Sequence, residues 1–460
     1  MKPNVFNKVG VWLLLCLTLF SVQQASAQSA RKLTLDEAVQ LGLQNSKQLK
    51  LNQAQIDEAT ASLKEAKDNR LPDLKLSGSY LRVNSPNITM RTGGGSSDSS
   101  GGGGSSINVN SAMYGMASLS LPIYTGGKIK YGIESAKYLA QAAKLDAESN
   151  RDAVIQNTIN AYANLYKASK SVELVQQNLD QSRQRDNDFS NLEKNGLLAR
   201  NDLLKSQLQT SNVELALLDA QRNRKMANVN VNLMLGLPED TELDVDSTGL
   251  DVLPDAKSVV DWETAAGQNR KDVQALSARA KAATSAISIA KADYLPSVAL
   301  TGGYVALNVP NFLEVTNAVN IGVGVSYNVA TFWKTPAKVE KAKAQARQVQ
   351  VNQEQLDDQV RLQINQAYQD YLLARKQIDV YNVAVEQANE NYKITKNKHD
   401  NNLVTTTDLL DANVAQLQAV LNFAFAKADA VVAYKKLLQT SGILNAQYAT
   451  PDTNTTNTKQ

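Results

Sequence analysis

Val319-Asn320-Ile321-Gly322-Val323-Gly324-Val325-Ser326-Tyr327-Asn328-Val329 alternates without a slip, apolar or aromatic at every odd position and polar or tiny at every even one. A period of two sends successive side chains to opposite faces, so the spacing predicts a strand over 319–329 with one apolar face. Residues 113–124 show the same pattern upstream, and the segments 73–80 and 297–307 complete a set of four strands. In that last pair Leu74, Leu76, Gly78 and Tyr80 answer to Val298, Leu300, Gly302 and Tyr304. Each follows a Leu-Pro step, at Pro72 and at Pro296, where the residue before proline is pushed out of the α region and a preceding helix must end.

These correspondences extend outward into an internal duplication. Gln44-Asn45 aligns with Gln268-Asn269 at a shift of 224, which holds through Tyr80 and Tyr304. At a shift of 206, Ala161-Tyr162 meets Ala367-Tyr368, Asp202-Leu203-Leu204 meets Asp408-Leu409-Leu410, and Gly236 meets Gly442. The 18 residues between the two shifts fall within 81–112, whose Gly/Ser run 93–106 reads as a flexible loop.

Each half therefore reads helix, strand, loop, strand, very long helix, turn, helix. The first helices are predicted over 33–69 and 262–292. From 128 to 194 and from 336 to 398, proline is absent after the start and Ala, Gln, Lys, Glu, Asn and Leu dominate. At ~1.5 Å per residue such a helix is roughly 100 Å long, too long for the inside of a globular domain. Its apolar positions, among them Ile155, Ile159, Tyr162, Leu165 and Tyr166, recur at three and four and form a seam for partner helices. The returning helices make hairpins of 128–236 and 336–442, stopped by Gly236 and Gly442. The expected organisation is a first repeat over 28–236, a linker over 237–261, a second repeat over 262–442 and a tail over 443–460.

Composition narrows the function. Of 460 residues 43% are hydrophobic and only 6% aromatic, which suits long polar-faced helices better than an aromatic-cored enzyme. Lys+Arg of 48 against Asp+Glu of 45 provides no basic field for nucleic acid. Lys2 and Lys8, the apolar run 9–20 and Ala25-Ser26-Ala27 predict a secretory signal peptide over 1–27. The one cysteine, Cys16, lies inside it behind Leu15, where a lipid-attachment site wants a small residue. With one histidine and no cysteine beyond the leader, no Ser/His/Asp or Cys/His set can be built, so neither catalysis nor a cofactor is expected. Gly126-Gly127-Lys128 fails as a phosphate loop, because Pro122 stands where its first glycine belongs and Ile129 replaces the Ser/Thr. Asp244-Val245-Asp246 lacks the glycine and terminal glutamate of a calcium loop.

No later stretch reaches the roughly 18 to 20 apolar residues of a membrane-spanning helix. Four strands are also too few to span alone: closed membrane barrels need about 8, and an open edge in lipid leaves backbone groups unpaired at several kcal/mol each. Several chains sharing one barrel would close it, with the long helices continuing as a shared tube. The fold class expected is mainly α with a small β part, internally duplicated.

Leu121-Pro122-Ile123-Tyr124-Thr125-Gly126-Gly127-Lys128 resembles the strand-to-helix signature of TolC-like outer-membrane efflux proteins, and the Pro72 and Pro296 turns resemble that family's helix-to-strand joints. The resemblance covers nearly the whole chain after the leader. It implies a homotrimer with a 12-stranded β-barrel in the outer membrane of a Gram-negative bacterium, continued by a 12-helix α-barrel across the periplasm. It further implies a passive exit, fed by an inner-membrane pump of the RND, ABC or MFS type through a periplasmic adaptor, with outer-membrane lipid around the barrel. The segment 237–261 and the tail resemble the belt around that tunnel. Gly196, Leu197 and Leu198 in one turn, and Asn402, Leu403 and Val404 in the other, resemble the tips where adaptor hairpins dock.

Asp408 and Asp411 are similar to a ring of aspartates at the tunnel entrance, with Asp202 and His399 as the other candidate gate residues. Three chains would bring six carboxylates together, a ring that favours cations and raises its own pKa values by repulsion. The plainer alternative is that both are capping or solvated acids at a helix start, and that His399 is an exposed turn residue. The sequence departs from the family at Lys205, opposite Asp411 in the duplication, at Val404, where related channels can carry a basic residue, and at His399, where a tyrosine is found. A trimeric coiled-coil surface protein is the rival class. It would use one continuous heptad run, whereas these helices fold back.

Overall fold

The computed structural model describes residues 31–84, 109–245, 254–255, 257–310 and 312–448, so the expected leader and the Gly/Ser run 93–106 lie outside the described residues. The chain runs β1 (Arg31–Leu33), α1 (Leu35–Asn45), α2 (Lys47–Asp68), β2 (Asp73–Arg82), β3 (Ser111–Tyr124), α3 (Lys128–Lys194) and α4 (Arg200–Leu235). After β4 (Leu243–Val245) come α5 (Val259–Asn269), α6 (Lys271–Ala292), β5 (Ser297–Val309), β6 (Leu313–Ser326), α7 (Thr331–Asp400), α8 (Thr406–Thr440) and α9 (Leu444–Gln447). The fold is mainly helical with a small β part. A shift of 224 carries α1 and α2 onto α5 and α6, and a shift of 206 carries the end of α3 and the start of α4 onto the end of α7 and the start of α8.

Three boundaries differ from the sequence reading, each for a local reason. The first helix of each half is broken in two, at Ser46 and at Arg270. Ser46 Oγ accepts the Leu49 N–H at 3.3 Å and restarts the helix as a cap would. Arg270 is extended, and its guanidinium donates to Gln363 Oε1 at 2.9 Å and the Thr440 carbonyl at 3.2 Å. The last strand is 313–326 rather than 319–329. Asn328 closes a turn there: its carbonyl accepts from Thr331 N at 3.0 Å and Thr331 Oγ1 at 2.7 Å, and its side chain accepts from Ala330 N at 3.1 Å. Finally, α7 begins at Thr331, ahead of Pro336, which loses only the single bond its absent N–H would have made.

The chain divides into two compact units, one of residues 51–147 and 271–358, the other of 1–50, 148–270 and 359–460. The first holds a four-stranded antiparallel sheet in the order β2-β3-β5-β6. Pro122, which cannot donate to a ladder, sits at the irregularity between Pro122 and Tyr124 where β3 meets β5. Strands β2 and β6 are left as edges. Val319, Ile321, Val323 and Val325 on β6 are 75%, 82%, 63% and 69% exposed, an apolar row with nothing over it.

In the same unit α3 and α6 meet through Ala142, Ala275 and Ala278, whose small side chains permit a close approach. The chain passes from β3 to α3 through Gly126 and Gly127, at φ of 63° and 88°. A Cβ on Gly126 would lie 2.6 Å from the Ala292 carbonyl oxygen, so glycine is required by both backbone angle and space. Beside it, Asp293 accepts from Lys338 Nζ at 2.7 Å and Lys128 Nζ at 3.3 Å, tying α7 and α3 to the end of α6.

In the second unit β1 and β4 form a parallel pair, Arg31 opposite Leu243 and Leu33 opposite Val245. Leu33 and Leu243 are buried, and the Tyr162 hydroxyl donates to the Leu33 carbonyl at 2.9 Å. Asn228 accepts from Leu243 N at 3.1 Å and, with Asn232, donates to the Thr241 carbonyl, so two α4 amides stitch down the linker. The core repeats along α3: Ala163 and Tyr166 pack on Ala428 and Val431 of α8, then Val175 and Leu179 on Val213 and Leu217 of α4. Burying each such Leu or Val contributes about 1.5 to 3 kcal/mol, which the long helices need because their remaining faces are polar.

The Asp293 cluster makes a testable contribution. The Lys338 ammonium first, and Lys128 after it, hold this carboxyl below the usual carboxylate range against the opposing effect of burial. A depressed native pKa stabilises above the ordinary carboxylate range, and that contribution is lost as pH falls through the depressed value. Asp293→Asn should therefore lower thermal stability at neutral pH by about 1 kcal/mol or less, the lysines being exposed. The gap between variant and parent should close on acidification; a gap that persists in acid would show that packing, not charge, is what Asp293 supplies.

Candidate functional site at the helical tips

The two tips are one structure made twice. In the first, Gly196 has φ of 74°, Gly196 N donates to the Glu193 carbonyl at 2.9 Å, and Leu197 N reaches back to the Leu192 carbonyl at 2.8 Å. In the second, Asn402 has φ of 57°, Asn402 N donates to the His399 carbonyl at 2.9 Å, and Leu403 N to the Lys398 carbonyl at 2.9 Å. This left-handed stop, with the second N–H reaching back across the last turn, satisfies orphan helix carbonyls, and Gly and Asn are the residues that tolerate it. It leaves the next residue outside: Leu197 is 70% and Leu403 72% exposed. Leu198, by contrast, packs against the cluster of Phe189, Leu203 and Leu409, and Val404 is half-buried.

The tips diverge at the helix starts that follow. Thr405 and Asp408 form a reciprocal capping box on α8, with Asp408 Oδ2 accepting from Thr405 N at 2.9 Å and Thr405 Oγ1 at 2.7 Å. The Thr405 hydroxyl, then its backbone N–H, hold the exposed Asp408 carboxyl below the usual range. On α4 the cap is Ala199, with no side-chain bond, and Asp202 instead pairs with Lys205 at 3.3 Å. Asp411 is exposed on α8. His399 is not an exposed turn residue: its ring stacks on Phe189 at 5.3 Å, Nε2 lies 3.3 Å from Thr406 Oγ1, and the buried Nδ1 has no hydrogen-bond partner, with Asp400 Oδ1 3.8 Å away. The candidate gate residues thus separate into an exposed pair, Asp408 and Asp411, a neutralised Asp202, and a His399 wedged against α3.

Between the hairpins lies a cavity of about 480 Å³, lined by Arg185, Phe189, Leu198, Tyr392, His399 and Leu409 among others. Arg185 is the residue that sequence reasoning missed. It is 8% exposed, and its guanidinium donates to Ser182 Oγ at 3.0 Å, Asn413 Oδ1 at 3.2 Å and Ser206 Oγ at 3.4 Å, joining α3, α4 and α8. Burial lowers its pKa, and Tyr392 and Asp186 oppose that. Nothing in Gln181-Ser182-Arg183-Gln184-Arg185-Asp186 marks one arginine as buried; the signal lies in partners 21 and 228 residues away.

The family profile described as outer membrane efflux protein matches residues 38–237 and 263–442, both repeats and little else. The chain belongs to the outer membrane efflux protein family. Solved structures agree on the fold. VceC from Vibrio cholerae is similar at 19% identity, with a TM-score of 0.73, covering 89% of this chain and 96% of that one. The CmeC channel of Campylobacter jejuni, at 19% identity and a TM-score of 0.72, covers 89% and 86%, and the Neisseria gonorrhoeae MtrE channel, at 17% and 0.69, covers 89% of each. No curated relative matches the chain significantly. An outer membrane efflux protein is a channel rather than an enzyme.

Arg185→Met should strand the Ser182 hydroxyl and the Asn413 side-chain oxygen in a buried site, while Ser206 keeps its bond to Asp186, costing about 2 to 4 kcal/mol locally. Faster protease cleavage around the tips, with slower change elsewhere, is the expected readout. Arg185→Lys should not restore protection, because an ammonium cannot span three acceptors on three helices. Full rescue by lysine would reduce Arg185 to a simple charge.

Proposed function

We propose that this outer membrane efflux protein works as a homotrimer, each copy adding four strands to one barrel in the outer membrane of a Gram-negative bacterium and four helical strands to a periplasmic tunnel. Substrate passes outward passively after delivery by an inner-membrane pump, of RND, ABC or MFS type, through a periplasmic adaptor. The observation that carries the reading is the sheet: four antiparallel strands with two open edges and an exposed apolar row on β6. Such a surface suits lipid on one side and further copies at the edges.

The exposed Leu197 and Leu403, held out by matching turns, are the surface we assign to the adaptor. Asp408 and Asp411 form the entrance ring, with Asp202 withdrawn by Lys205 and His399 acting behind the constriction. The rival reading as a coiled-coil surface protein is disfavoured by the hairpins, since α4 and α8 fold back instead of extending a heptad run.

The barrel reading is checked by two adjacent substitutions. Arg at Val323 places a charge on the lipid side at about 2 to 4 kcal/mol per chain and should abolish the membrane-assembled trimer. Arg at Gly324, where an added Cβ meets nothing closer than Thr301 Cγ2 at 3.6 Å, should assemble and narrow the pore. Equal assembly of both would overturn the facing assigned to β6.

The ring is checked in planar bilayers. The parent trimer should be a low-conductance, cation-preferring pore blocked by multivalent cations. Asp408→Ala with Asp411→Ala should weaken both selectivity and block. If both properties stay unchanged, the two acids are capping and surface groups only.

A further inference from the structure

The repeats part company at the joint between strand and long helix, in the unit that carries the sheet. Where the first has Gly126-Gly127, the shift of 206 places Phe332-Trp333 in the second. Phe332 packs edge-on to Tyr327, with ring centroids 6.1 Å apart, and Trp333 is 67% exposed. The two rings follow β6 and its apolar row along the chain, with Tyr327 and Val329 between.

Directly beyond them α7 carries Lys334, Lys338, Lys341 and Lys343 against a single acid, Glu340. Lys338 is committed to Asp293. Lys334, Lys341 and Lys343 are exposed and have no carboxylate partner among the described residues. From Lys334 to Lys341 the helix rises about 10 Å, and seven residues apart the two share a face. The order along the chain is apolar strand, aromatic pair, unpaired cations, which is the order of environments met on leaving a bilayer through its headgroups.

We propose that this joint binds anionic glycerophospholipid of the periplasmic leaflet, Phe332 and Trp333 lying at the hydrocarbon boundary and Lys334 and Lys341, on one face of α7, holding the phosphates. The assignment rests on the barrel reading above. A zwitterionic headgroup brings its own ammonium among these lysines, so an anionic one is preferred. A second copy is the poorer occupant: the helix leading to the opposite sheet edge, α2, ends with Lys64, Lys67 and Arg70 against Glu65 and Asp68, and offers no surplus of acid.

Trp333 is its own reporter, because Trp262 is buried and Trp12 falls in the expected leader. The intact trimer is reconstituted in phosphatidylcholine vesicles containing either phosphatidylglycerol or phosphatidylcholine brominated high on the acyl chain, and tryptophan quenching is measured. Quenching should vanish in Trp333→Phe. Phosphatidylglycerol should associate about threefold or more in preference to phosphatidylcholine, and the preference should fall to about one at high salt and in the Lys334→Gln, Lys341→Gln variant, while Lys343→Gln, on the opposite face of α7, should leave it unchanged. A loss of preference in Lys343→Gln alone would count against the face assigned. The variant with all three lysines replaced should behave as the double variant does. Equal quenching by both lipids, or a preference that survives the triple variant, would overturn the headgroup site while leaving the barrel intact. Displacement of phosphatidylglycerol by lipopolysaccharide would overturn the leaflet. Absence of quenching by either lipid would mean that protein covers Trp333, and would overturn the headgroup site while leaving the barrel intact.

Discussion

A sheet with two open edges and an apolar face is the constraint on which everything else in this chain depends. Strands β3 and β5 are paired on both sides, but the outer edges of β2 and β6 have no strand partner among the described residues. In hydrocarbon each unpaired group costs several kcal/mol, and an edge of 14 residues exposes enough of them to exceed the roughly 5 to 15 kcal/mol that holds an ordinary domain together. Water would satisfy those groups, yet the exposed Val319, Ile321, Val323 and Val325 make water the wrong solvent for the face. On the barrel reading, lipid over the face and further strands at the edges meet both demands.

The helical parts answer a different demand. A helix of 67 or 70 residues cannot bury itself, and here only one stripe is apolar, so each long helix is held by its hairpin return and by its duplicate. The duplication supplies a matching seam twice at no cost in new design, and the places where the copies differ are where chemistry enters. Lys205 neutralises Asp202 in the first tip, whereas its counterpart Asp411 adds a charge in the second. Ala199 leaves α4 uncapped, whereas Thr405 caps α8. At the start of the returning helix, the acids without a lysine partner therefore come from the second repeat.

Much of the fold was legible in the sequence because two signals were strong and local. Alternation over 73–80 and 297–307 and the twin shifts of 224 and 206 place the strands and hairpins with little further argument. The breaks at Ser46 and Arg270 were not legible: the apolar spacing runs through them, and Arg270 turns the chain by reaching Gln363 and Thr440, which are far away in sequence. The end of β6 was misjudged because alternation continues through Val329 after the ladder stops, Asn328 having taken the local hydrogen bonds for a turn. At the tips the turn residues were readable from Gly196 and Asn402, but the burial of Arg185 and the stacking of His399 on Phe189 depend on packing between helices that no linear spacing shows.

The capping of Asp408 is compatible with the charged ring proposed for it. Capping favours the ionised form: two hydrogen bonds from Thr405 hold the carboxyl below its usual range. Like charges across a constriction would oppose this, with water and salt screening the repulsion. The cap and a neighbouring charge thus pull on one exposed carboxyl in opposite directions, the cap by direct hydrogen bonds and the neighbour only through screening water. The box that starts α8 favours the charged form of Asp408 and fixes it on the first turn, just past the tip, which is the position the proposed entrance ring requires.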